Sequence, residues 1–260
     1  MKIKDISEKI DALAPQELAY PWDNVGLICG NKENELTSIL LTLDLDLGVI
    51  AEAKKLGANL IIGHHPILFE KTNKITTDTP DGQLITALIE NKISYFAAHT
   101  NLDVAKNGLN DLMAEKINLK NVRILEYINE TEGIGRIGEA NTPVTLTELA
   151  ETVKKAFCAP YVRICGDTKK PLSKIAVNTG GGTALIEAAI NENADVLITG
   201  DYKYSQMRDC IARGLNIIDV GHFNTEFTCT ELFFNYLNKE FGDSVKIYIS
   251  KANTNIMSFV

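Results

Sequence analysis

Apolar positions along the chain fall into two kinds of run, and the two kinds alternate. Ile3, Ile6, Ile10 and Leu13 recur at helical spacing as far as Pro15, which predicts an N-terminal helix. After the loop YPWDNVG (20–26), SILLTL (38–43) reads as a buried strand. Leu47 to Leu56 reads as a helix stopped by Gly57, and Leu60 to Gly63 as a second strand. A polar loop (66–82), a helix near 83–91, the strand ISYFAA (93–98) and a helix at about 108–118 complete the first half. The second half has strands of hairpin type at 121–128 and 134–139, then a helix over Leu146 to Phe157. Strands at 175–178, 196–199, 216–220 and 245–249 then alternate with helices at 183–193, 203–213 and 224–240.

Strands separated by helices predict βαβ units, hence an α/β fold with a mainly parallel sheet in each half. The halves also resemble each other. ILLTLDLDLGVIAEA (39–53) parallels IAVNTGGGTALIEAA (175–189), GANLIIGHH (57–65) parallels ADVLITGDY (194–202), and ISYFAAH (93–99) parallels NIIDVGH (216–222). The expectation is two related α/β modules, 1–125 and 126–260, with the final helix and strand free to pack back on the first. The carboxyl ends of their strands, where open α/β sheets bind ligands, would share one cleft.

Composition narrows the partners. Of 260 residues, 26 are Lys or Arg and 34 are Asp or Glu, a net charge of −8, which disfavours a whole-chain grip on DNA or anionic lipid. No apolar run is long enough to span a bilayer, and the opening MKIKDISEKIDAL does not read as a signal peptide. The five cysteines (Cys29, Cys158, Cys165, Cys210, Cys229) are odd in number and scattered, without CxxC. Reduced thiols in a cytoplasmic protein are expected, not a disulfide framework or a thiolate zinc site.

The candidate chemistry lies in the histidines. The chain has four, His64, His65, His99 and His222, and each follows the end of an apolar strand. Imidazole is largely neutral at physiological pH and is a frequent metal ligand. Asp103 stands four residues after His99, and Glu226 four after His222, so His222 and Glu226 share a helix face. Either carboxylate alone is explained as well by a turn or a helix start. Adjacent side chains diverge in extended backbone, so His64 and His65 would not easily serve one ion; two ions a few ångströms apart, bridged by Glu226, would resolve that.

The segments GANLIIGHHPILF, AAHTNLDVAKNGLND, ITGDYKYSQ and DVGHFNTE, with YPWDNVGLICG near the start, resemble the motifs of the Nif-three-like dinuclear metal-centre family. Its members are often described as GTP cyclohydrolase I type 2 homologues. The resemblance runs from about residue 5 to the C-terminus with the motifs in family order. It implies two divalent metal ions per subunit, held by His64, His65, Asp103, His222 and Glu226, between two α/β modules in a cytoplasmic homohexamer. Mixed imidazole and carboxylate ligands suit Zn, Fe, Mn or Co. Where many relatives carry a His after the GDxxY segment this chain has Ser205, which puts in doubt any proton-transfer role there.

Weaker signals surround these positions. His99 reads as a residue behind the ligands that orients Asp103 or a water, or as simple packing. Thr100 and Asn101 could donate hydrogen bonds at the same mouth, and Asp201 could line the cleft or cap the next helix. TGGGT (179–183), with Gly180, Gly181 and Gly182, could cradle a phosphate or make a tight turn. Trp22, the only tryptophan, suits the core or a subunit contact. The leading expectation is a metal-dependent hydrolase acting on a nucleotide or related small molecule. The alternatives are a two-metal phosphoesterase and a non-catalytic metal-binding or scaffold protein. No DNA or membrane partner is expected.

Overall fold

A computed structural model describes residues 1–258 and divides into two units, Met1–Leu102 with Cys229–Val260, and Asp103–Thr228. A boundary at 125, as the sequence suggests, falls inside the first of two strands that pair with each other in the second unit (Lys120–Tyr127 and Gly133–Thr145).

The first unit contains α1 (Ile3–Leu13), β1 (Gly26–Cys29), β2 (Ile39–Leu41), α2 (Leu47–Leu56), β3 (Leu60–Gly63), α3 (Pro80–Glu90) and β4 (Ser94–Ala97). The first crossing between the units lies within α4 (Thr100–Val104). The second unit continues with α5 (Leu109–Lys116), β5 (Lys120–Tyr127), β6 (Gly133–Thr145), α6 (Leu146–Ala156), β7 (Arg163–Cys165) and β8 (Pro171–Gly181). It ends with α7 (Ile186–Asn191), β9 (Val196–Gly200), α8 (Tyr204–Ala212), β10 (Asn216–Asp219) and α9 (His222–Glu226). The chain then returns to the first unit with α10 (Cys229–Phe241) and β11 (Ile247–Ile249).

The first sheet has the order β1-β4-β3-β2-β11, parallel except for β1. Its central strands ILL, LIIG and SYFA are buried throughout, as expected of parallel strands covered on both faces. α1 buries Ile3, Ile6 and Ile10. α2 starts where the Asp46 carboxylate accepts from the Val49 amide (2.7 Å) and ends at Gly57. The second sheet has the order β5-β6-β8-β9-β10-β7 and is parallel only across β8, β9 and β10. β6 and β7 pair antiparallel with β8 and β10, so the expectation of a mainly parallel sheet holds for the first unit and for the centre of the second. In both sheets three consecutive parallel strands (β2-β3-β4 and β8-β9-β10) are followed outward by an antiparallel one, which matches the sequence repeat.

The helix expected over 224–240 is broken. α9 ends at Glu226 and α10 begins at Cys229. The Thr225 hydroxyl donates to the His222 carbonyl (2.8 Å) and the Thr228 hydroxyl to that of Thr225 (2.6 Å), local bonds that compete with the helical ladder. Among the described residues all five cysteines are free, and no helix is long and apolar enough to cross a membrane.

An ion pair between a buried guanidinium and a half-buried carboxylate joins α5 to β6. The Arg136 side chain is 4% exposed. It donates through Nε and Nη2 to Asp111 (2.5 and 2.9 Å), and also to the carbonyls of Gly133, Gly135 and Ala105. Arg136→Ala would strand these acceptors and is expected to destabilise the protein by about 3–5 kcal/mol in urea unfolding; a loss below ~1 kcal/mol would show the pair to be dispensable.

Candidate metal centre

The first unit gathers three imidazoles at the carboxyl ends of β3 and β4. β3 stops at Gly63, and the next two amides, of His64 and His65, both donate to the Leu43 carbonyl (3.2 and 3.0 Å). The backbone therefore bends at the pair, and the two rings converge with centroids 5.3 Å apart. The divergence expected of extended backbone is overturned, and with it the geometric reason for requiring two ions. His99 joins them from the end of β4: ligand nitrogens of His64, His65 and His99 all lie within 4.8 Å of one another. Nitrogens at about 2.1 Å from one tetrahedral ion lie roughly 3.4 Å apart, so a small closure would seat a cation.

Each ring is held by its Nδ1. His64 Nδ1 donates to the Ala98 carbonyl (2.8 Å), His65 Nδ1 to Asp44 (2.6 Å) and His99 Nδ1 to Asp23 (2.9 Å). A proton on Nδ1 places the lone pair on Nε2, the arrangement that partners behind a metal's ligands impose. Burial pushes the Asp23 carboxyl up, but hydrogen bonds from His99 and Thr100, the His99 charge and the Asn24 amide outweigh it and hold the group down at about 2. Asp23 is thus a buried anion, and it also accepts from the Thr100 amide at the start of α4 (3.1 Å). Thr100 and Asn101 serve this support. The Thr100 hydroxyl donates to Asp23, while Asn101 accepts from the His99 amide (2.8 Å) and donates to the Ala14 carbonyl (2.7 Å).

The second unit sets His222 against Glu226 and holds Asp103 against Thr179. His222 follows β10 and opens α9, so Glu226 stands one turn along, its carboxylate 2.7 Å from His222 Nε2. His222 Nδ1 faces Asp201 at 2.8 Å. Asp201 does not cap α8, whose cap position is Lys203; it adopts a left-handed backbone (φ 62°) just after β9. Burial lowers the His222 pKa, but hydrogen bonding to Glu226, its charge, and the same two effects from Asp201 prevail and raise it to about 9. Asp103 is buried and accepts from the Thr179 hydroxyl (3.0 Å); the Thr179 amide donates to Asn110, whose side chain donates to the Asp103 carbonyl.

The glycines of TGGGT gain a structural explanation. Gly180 has φ +59°, and a Cβ there would lie 2.0 Å from Glu226 Oε1. A Cβ on Gly182 would lie 2.3 Å from the Thr199 hydroxyl oxygen, whereas one on Gly181 would meet only Asp201 Cβ, at an ordinary 4.0 Å. Close approach of the chain to Glu226 accounts for the first glycine without a phosphate. Asp23, Asp44 and Thr179 were missed in the sequence. Each stands at a strand end or loop beside a strand that carries a site residue, a position that pairing reveals and spacing does not.

A family model described as Duf34/NIF3 (NGG1p interacting factor 3) matches residues 1–256. A GTP cyclohydrolase 1 type 2 homolog of Clostridium perfringens is 37% identical over 262 residues, all of both chains, and one of Lactococcus lactis is 36% identical over 98% of both. Among solved structures, a Bacillus cereus protein related to NIF3 superposes with TM-score 0.93 at 26% identity, covering 100% of this chain and 99% of that one. Reduced HcgD from Methanocaldococcus jannaschii gives 0.81 at 31% identity, covering 96% and 98%.

Two outcomes test this geometry. Because the His222 pKa is raised above its ordinary 6.5 to about 9, its pairing stabilises the chelator-treated fold fully below pH 6.5, and that contribution is lost as pH rises through 9. The destabilisation caused by Glu226→Gln should therefore be larger in urea at pH 6 than at pH 9.5; equal penalties would refute the pairing. Gly180→Ala should cost about 1–3 kcal/mol from left-handed strain and the clash with Glu226, whereas Gly181→Ala should be near neutral by the same measurement.

Proposed function

This chain belongs to the Duf34/NIF3 family, and on that premise we propose that it is a divalent-metal-dependent hydrolase of a nucleotide or related small molecule. The ligands in this reading are His64, His65, Asp103, His222 and Glu226, holding two ions of Zn, Fe, Mn or Co per subunit, in a cytoplasmic homohexamer. One observation carries it: each histidine of that set, His64, His65 and His222, has its Nδ1 directed at an oxygen acceptor supplied by a neighbouring strand end. Structural histidines do not need that uniform orientation; ligands that present Nε2 do. The donor set, imidazoles with buried carboxylates and no thiolate, suits borderline divalent ions.

Bound there, the ions would supply Lewis acidity, bringing the pKa of a water towards neutrality and polarising the oxygen of the group attacked. The chain's own contribution is orientation and charge. Asp44 and Asp201 hold His65 and His222 and raise their basicity as ligands. His222 carries a proton towards Glu226 in the metal-free fold, so loading the site displaces it, and occupancy should strengthen with rising pH. Glu226 and Asp103 are buried carboxylates, and the Thr179 hydroxyl fixes one oxygen of Asp103. The nucleotide element draws support from the description shared by the curated relatives, GTP cyclohydrolase 1 type 2 homolog.

His65→Ala is the direct test. The variant, loaded with Mn, Zn, Fe or Co in turn, is expected to lose bound metal by elemental analysis. It should also lose turnover across a nucleotide panel read as phosphate or formate release, by more than about 100-fold, beyond the loss from removing an orienting partner alone. Unchanged metal content and turnover would remove the assignment. A wild-type protein that binds metal yet stays silent across the panel would favour a non-catalytic metal-binding role.

A further inference from the structure

Two large aromatic side chains stand exposed beside the imidazole group of the first unit. Trp22 is 55% exposed and Phe69 48%. Their rings lie 5.5 Å apart at 33°, and each meets His99 edge-on, at 6.1 and 5.9 Å. His99 in turn is 5.1 Å from His64 and 5.5 Å from His65 between ring centroids. Of the two expectations for Trp22, core or subunit contact, its exposure removes the core.

The arrangement is built rather than incidental. Tyr20 stacks on Trp22 (5.7 Å, 28°), so the indole is held by a ring neighbour while remaining exposed. The two loops are stitched together, since the Asn24 side-chain amide donates to the carbonyls of both Ile67 and Leu68 (3.1 Å each). Leu68, immediately before Phe69, adopts φ 58°, a left-handed conformation that a leucine holds only when its surroundings impose it. Asp23, next to Trp22, is the buried anion that anchors His99. One network therefore fixes both the aromatic rings and the imidazole edge.

We propose that Trp22 and Phe69 form a stacking platform for a planar heteroaromatic ring of the substrate, holding that ring beside His64, His65 and His99. The assignment rests on the hydrolase reading for the fate of the rest of the ligand, whereas ring binding itself requires no metal. The two exposed rings are inclined at 33° rather than set at right angles as the walls of an aromatic cage, which suits a flat ring better than a rounded cation. A protein seated here would cover the imidazoles as well, which sets it against access to that group. Stacking of a base on an aromatic side chain contributes about 1–3 kcal/mol and tolerates differences between bases.

Trp22 is the only tryptophan, so its emission reports on this platform alone. The full chain, as purified and again after chelation, would be titrated with guanosine, adenosine and uridine monophosphates and with neopterin. Ribose 5-phosphate serves as the control without a ring. The expected result is saturable quenching by at least one ring compound and none by the control. Phe69→Ala should weaken binding about 10-fold, roughly the lower end of the stacking range, and Phe69→Tyr should restore it. His65→Ala should keep ring binding while losing metal, which separates failure of the platform from failure of the metal centre. Four outcomes would overturn the proposal: no saturation by any ring compound, equal quenching by ribose 5-phosphate, a folded Phe69→Ala variant of unchanged affinity, or indole emission shielded from acrylamide until dilution dissociates the protein. The last would assign the platform to a second copy of the chain.

Discussion

The candidate site depends on strand pairing carried past the ends of the strands. In the first sheet Leu41 of β2 stands opposite Ile62 of β3, so three residues further on Asp44 comes opposite His65 and accepts a hydrogen bond from its Nδ1. Gly63 pairs with Ala97, and one step later His64 meets the Ala98 carbonyl. β1 runs antiparallel, with Gly26 opposite Ala97, and the same register continued backward delivers Asp23 to His99 and Thr100. In the second sheet β9 and β10 bring Asp201 beside His222 in the same manner. A one-residue slip would turn every side chain on the slipped strand to the other face, so the hydrophobic core that fixes register also fixes the tautomer of each imidazole.

This dependence explains the burial of charge near the histidines. An ionised carboxylate as enclosed as Asp23 is costly unless its oxygens are satisfied. Here they take the His99 ring, the Thr100 amide and hydroxyl and the Asn24 amide, which keeps the group ionised despite burial. The same anion sits in the chain between Trp22 and Asn24, the residue whose amide binds the loop before Phe69. Charge, ring orientation and loop conformation are thus parts of one hydrogen-bonded system, and removing any member leaves a buried group without its partner.

Much of the fold was legible because its signals are local. The isoleucine stripe of α1, the Gly57 stop of α2 and the unbroken apolar runs of β2, β3, β4, β9 and β10 each announce themselves within a few residues. The histidines were legible because all four end such runs, and their motifs carried the family. What escaped was non-local or finely balanced. β1 and β7 are short antiparallel edges whose existence is decided by β4 and β10. The break between α9 and α10 turns on two threonine hydroxyls in a sequence that otherwise favours helix. The partners Asp23 and Asp44 lie 76 and 21 residues from their histidines, and no spacing rule within one segment points to them.

The adjacent pair His64–His65 shows how a correct motif can rest on a wrong geometric reason. Extended backbone would send the two rings to opposite faces, and a second ion would then be needed to use both. The chain instead leaves β3 one residue earlier, and a single carbonyl, that of Leu43, accepts from both histidine amides. The resulting bend brings both rings to the side where His99 stands, and the three imidazoles form a group that could hold one cation. The carboxylates of the second unit are placed by a different device. Gly180 gives up its side chain to admit Glu226, and Thr179, its neighbour in sequence, holds Asp103. A buried acid that takes the space of a Cβ does little for the core; what holds it there is the pairing with His222, 2.7 Å away.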